Sequence, residues 1–131
     1  MRKLASALAV PALIAAVPAS AEVIGGLHVA VNRHDYRGTG CPIEVVFTAS
    51  VNITPNHGPA GAFNYHWERS DGAKSGVQVV HVGHEGKTMV FHEKWRIGRP
   101  GSVYDISQTF HVNSGNQHIQ ETSPTVHVEC R

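Results

Sequence analysis

The chain is short of the features that usually announce a function. Only 16% of its 131 residues are charged, 7% are aromatic and two are cysteine. No GxSxG nucleophile elbow, HExxH pair, GxGxxG turn or phosphate loop occurs, so acyl transfer, zinc hydrolysis and nucleotide chemistry lack the residues that would position them. No Lys/Arg stripe is present, and without one the electrostatic footprint for a phosphate backbone or an anionic lipid is missing. Nucleic acid is therefore not an expected partner. Beyond residue 21 no apolar run approaches the length of a bilayer span, and no helical hydrophobic period is found from residue 22 onward.

What is present begins with a leader. Arg2 and Lys3 start it, Leu4 to Val17 is almost wholly apolar, and Ala19, Ser20 and Ala21 supply the small residues of a cleavage site. Residues 1–21 read as a signal peptide cleaved after Ala21, too short and too broken by Pro11 and Pro18 for a membrane helix. A secreted or periplasmic protein follows, and in such a compartment Cys41 and Cys130 are expected to form a disulfide. Without Arg2 and Lys3 the remainder carries nine basic and ten acidic residues, with all ten histidines. Acidification would make that surface strongly positive.

From residue 22 on, short alternating segments rich in Val, Ile, Phe and Thr recur between clusters of Gly, Pro, Asn and Ser. Seven strands are expected: 23–33, 42–53, 62–69, 77–82, 87–96, 103–112 and 124–130. The second is the clearest, with Ile43, Val45, Phe47, Ala49, Val51 and Ile53 on one face. Phe63, Tyr65 and Trp67 point inward from the third, and Met89, Phe91 and Trp95 from the fifth. The sixth contributes Tyr104, Ile106, Phe110 and Val112, and the last Val126, Val128 and Cys130. Phe47, Trp67, Phe91 and Trp95 are the expected heart of the core. Arg69 shares the inward parity of Trp67 and is expected to stack on an aromatic ring or pair with a carboxylate. One domain, 22–131, is predicted as an all-β, immunoglobulin-like antiparallel sandwich, with Cys41 and Cys130 at one pole.

The segments YRGTGCP (36–42), YHWERSDG (65–72), the tryptophan of FHEKWRIG (91–98) and the closing VHVECR (126–131) carry a resemblance. Together they are similar to a group of bacterial exported immunoglobulin-like modules with a Tyr-x-Gly…Cys-Pro opening, a Trp-x-Arg-Ser-Asp-Gly centre and a terminal Cys. The resemblance implies the sandwich fold and a Cys41–Cys130 bridge, but no biochemical activity. This chain departs from the pattern by one extra residue before Cys41 and by its number of histidines.

Parity sends His28, His66, His92, His111 and His127 to solvent. If the third, sixth and seventh strands share a sheet, His66, His111 and His127 lie on one outer face. Three loop histidines, His57, His84 and His118, fall at the pole opposite the cysteines, where with Glu85 nearby they could hold zinc or copper. HVGHEG (81–86) does not match the two-apart histidines of a copper-zinc dismutase strand. Two functions are thus expected: a non-catalytic exported binding module, acting on an unidentified protein or envelope partner and needing no cofactor, or a zinc- or copper-binding protein of the envelope.

Overall fold

A computed structural model describes residues 22–58 and 61–131; the expected signal peptide, 1–21, lies outside the described residues. Among the described residues ten strands are formed and no helix: β1 (Ile24–Val31), β2 (Asp35–Gly38), β3 (Ile43–Ile53), β4 (Gly61–Arg69), β5 (Gln78–Val82), β6 (Lys87–Ile97), β7 (Val103–Ile106), β8 (Gln108–Ser114), β9 (Gln117–Thr122) and β10 (Val126–Cys130). One sheet has the order β1-β3-β6; against it lie a four-stranded sheet, β5-β4-β8-β9, and a three-stranded one, β2-β10-β7.

β3 shows most directly why these residues make these strands. Its buried and exposed positions alternate along its whole length, with Val45, Phe47, Ala49 and Val51 sealed from solvent. That period of two leaves one face for the core and one for water. Within the first sheet Phe47 lies beside Trp95, with ring centres 6.4 Å apart, within the second Phe110 lies beside its ladder partner Trp67 at 4.7 Å, and across the interior Phe91 meets Phe110 at 5.8 Å. Phe91 is half-buried rather than enclosed, sitting 4.4 Å from Tyr65 at the margin of the core.

The sequence reading needs three corrections. The segment 103–112 is divided at Ser107 into β7 and β8, and β9 and β10 are likewise divided around Pro124 and Thr125. Ile106 pairs with Val126, while the Gln108 carbonyl accepts the Ser123 N–H at 2.9 Å, so two residues stand opposite Ser107 alone. This is a β-bulge, where a proline without an N–H is tolerated. It explains why Ser123 and Val126, three apart, are both buried. Thus β7–β8 and β9–β10 are the two arms of one long hairpin, interrupted once. Second, β2 and β9 are additional strands. Third, β2 pairs parallel to β10, so the sandwich is not antiparallel throughout.

Cys41 and Cys130 are bonded, 89 residues apart in sequence, at the pole where β3 begins and β10 ends. Gly98, at φ 126°, closes over the bridge; a Cβ there would lie 2.7 Å from Cys130 Sγ. The position requires glycine for both backbone and space.

Candidate functional site

The hairpin joining β4 to β5 is folded tightly. Asp71 Oδ1 accepts the Ala73 N–H at 3.0 Å, Gly72 takes φ 97°, and the Arg69 N–H donates to Ala73 O at 2.8 Å. These are the bonds expected of a Ser-Asp-Gly turn. Beyond the turn Ser75 locks back onto β4, its Oγ accepting the Trp67 N–H at 2.8 Å and its own N–H donating to Trp67 O at 2.9 Å. Lys74 is thereby paired with Glu68, which turns its side chain to the outer face, where its charge acts on His66. Arg69 points inward, and its guanidinium lies over the Trp95 ring at 4.7 Å. Of the two roles its parity allowed, it takes the stacked one.

These elements wall a cleft between the layers. Trp67, Arg69, Lys74 and Ser75 line one side, Glu93 of β6 the other, and Gln108 of β8 the floor, around a cavity of about 240 Å³. Glu93 occupies an inward position between Phe91 and Trp95, and Tyr65 feels it. Burial first, and the Glu93 carboxylate second, hold the Tyr65 hydroxyl above its ordinary pKa. Gln108 is 1% exposed, and both Nε2 and Oε1 of its side chain meet no partner. Its main chain is satisfied separately, the N–H donating to Ser123 Oγ at 3.1 Å. A second, shallower cavity of about 430 Å³ lies on the other side of the Arg69–Trp95 stack, bounded by Asp71, Trp95, Tyr104 and Ile106.

Sequence reasoning passed over Gln108 and Glu93, although a signal was present: each is a polar residue at an inward position of an otherwise apolar strand face. An interior amide or carboxylate is costly unless something pairs with it, so such residues mark a site or a strain.

The histidines are distributed differently from expectation. His66 and His111 are opposite one another in the β4–β8 ladder and stack with ring centres 4.5 Å apart and planes 4° from parallel. His111 Nε2 lies 2.9 Å from Glu68 Oε1. Burial, then the His111 and Lys74 charges, lower the His66 pKa, with Glu68 opposing them. His127 does not join this row. The bulge places β10 in the β2-β10-β7 sheet, where His127 Nδ1 meets Asp105 Oδ1 at 2.8 Å, and the neighbour of His111 on its other side is Gln120 of β9.

Among the loop histidines, His57 and His84 stack with centres 5.8 Å apart. His57 is buried, not solvated: its Nε2 donates to Gly83 O at 2.8 Å, leaving a buried Nδ1 with no partner. His118 hydrogen-bonds Asn113 instead. Among the described residues no group of three or more His, Cys, Asp and Glu side chains is arranged to hold a metal ion. Nor is any helix among them long and apolar enough to cross a membrane.

No family model matches the chain, and no curated protein does. Among solved structures the chain is similar to the CARDB domain of a Pyrococcus furiosus protein, crystallised in complex with di-metal ions. That match has a TM-score of 0.50 and 15% identity, covering 84% of this chain and 98% of the other. At that identity the likeness shows the fold, an immunoglobulin-like β-sandwich with one disulfide in the present chain.

Proposed function

We propose that this chain is an exported, non-catalytic binding module that takes a small polar ligand in the cleft between β6 and the β4–β5 hairpin. The carrying observation is Gln108, a side-chain amide buried at 1% exposure on the cleft floor with both ends unpartnered. Leaving such a group unsatisfied costs about 1–3 kcal/mol, so a bound molecule that pairs with it recovers that energy on binding. Export is supported by the Cys41–Cys130 bond and by the apolar leader. The non-catalytic part is supported by the immunoglobulin-like fold. The test is nuclear magnetic resonance of the labelled, oxidised chain against a set of small polar molecules. Binders should shift the Gln108 side-chain amide and the Trp67 indole together; binders whose shifts all fall elsewhere would defeat the assignment.

A second reading keeps zinc or copper in view, favoured by the approach of His57 to His84 and by the unpartnered His57 Nδ1. It requires calorimetric binding of zinc near neutral pH that is lost when His57, His84 and His118 are all changed to alanine. Absence of heat from the unaltered protein removes it.

A further inference from the structure

The charges of the cleft narrow the class of ligand. Arg69 stands on the β4–β5 side, its guanidinium turned inward, and Glu93 stands on the opposite layer. Among the described residues Glu93 forms no ion pair with Arg69. The cavity therefore holds positive and negative walls that do not neutralise each other, with the unpartnered Gln108 amide between them. A simple anion would be drawn to Arg69 but repelled by Glu93. A simple cation meets the reverse, and an apolar molecule leaves all three groups desolvated without partners.

Resting on the cleft as a binding site, we infer that its ligand is a small zwitterion of the free α-amino acid class. The ligand carboxylate lies toward Arg69 and the ammonium toward Glu93. Gln108 serves either end, since its Nε2 donates and its Oε1 accepts. Charge-assisted bonds of this kind are the strong ones. Size restricts the class further. A cavity of about 240 Å³ falls below the range of about 300–1,000 Å³ typical of drug-sized ligands. A side chain as small as that of alanine or serine fits, resting against Trp67. A peptide end carries only one of the two charges and engages only one wall.

The experiment compares four probes on the full, oxidised, labelled protein: L-serine, acetate, ethylamine and glycerol. L-serine is expected to give saturable shifts at the Gln108 side-chain amide and the Trp67 indole, while the other three at equal concentration give none. E93Q keeps the shape of the side chain and should weaken L-serine binding by at least about tenfold, the loss of one charged hydrogen bond. An unchanged melting temperature shows that the variant is folded; if it is not, the four-probe comparison still decides. Equal response to acetate or glycerol, or undiminished serine binding by folded E93Q, overturns the zwitterion and leaves the cleft as a site for another ligand. Silence from all four probes, with the Gln108 amide hydrated by solvent only, overturns both.

Discussion

Replacing Gln108 by methionine separates a binding residue from a structural one. Methionine is unbranched and of similar length, so the change removes the amide while nearly conserving volume, and such swaps usually cost less than about 1.5 kcal/mol in packing. The main-chain bonds of residue 108 to Ser123 do not involve the side chain and persist. On the other side stands relief of a buried amide whose two polar atoms have no partner, about 1–3 kcal/mol by mutational measures. The net expectation for Q108M is a ligand-free protein stabilised by about 1 kcal/mol, with a melting temperature raised by about 4 °C. Binding at the cleft should be lost. Urea denaturation gives the stability, and an unchanged m-value would show that the unfolded state is not the cause. If Q108M were instead destabilised by about 1 kcal/mol or more, the amide must already be satisfied in the free protein. The argument from Gln108 to a binding site would then fail.

Three further outcomes follow from the structure. Changing both Cys41 and Cys130 to alanine opens a closure of 89 residues and should cost about 4–5 kcal/mol in the chain-entropy model, measured by urea denaturation; a loss below about 1 kcal/mol would contradict it. G98A, at φ 126° and with its Cβ 2.7 Å from Cys130 Sγ, should destabilise by about 1–3 kcal/mol, and a melting temperature equal to that of the parent would count against the contact. His66 has a folded pKa below its ordinary 6.5, so the folded state binds fewer protons. Its contribution to stability is whole above 6.5 and is lost as pH falls through the lowered value. A proton-resonance titration should place His66 under 6.5, and H111Q should move it upward; titration above 6.5, or indifference to H111Q, would refute the coupling.

Much of the frame was legible in the residues. The alternation of Ile43 to Ile53 marked β3, and the parity of Arg69 led to its stack on Trp95. Export chemistry and resemblance alike pointed to the Cys41–Cys130 bond. What escaped had physical reasons. β2 (DYRG) and β9 (QHIQET) carry no apolar alternation, because each is held by its ladder to a neighbour and not by a buried face of its own. The bulge at Pro124 and Thr125 depends on register, which is settled between strands, and its effect was to move His127 away from His66 and His111. The burial of His57, read as a loop residue that could hold a metal, was not legible, since nothing local reports that Gly83, 26 positions later, will accept its proton. The cleft was missed because an alternation rule collects the apolar inward residues and skips the polar ones, and Glu93 and Gln108 are what distinguish this interior from a plain core.

The parallel pairing of β2 with β10 bears on the order in which the molecule can be finished. β2 has no other ladder partner and Cys41 no other cysteine, yet both mates belong to the last described strand to leave the ribosome. A polypeptide delivered head first must therefore leave β2 and Cys41 unpaired until its tail arrives. Such delayed completion fits the export proposed above, in which the chain would cross a narrow pore before closing.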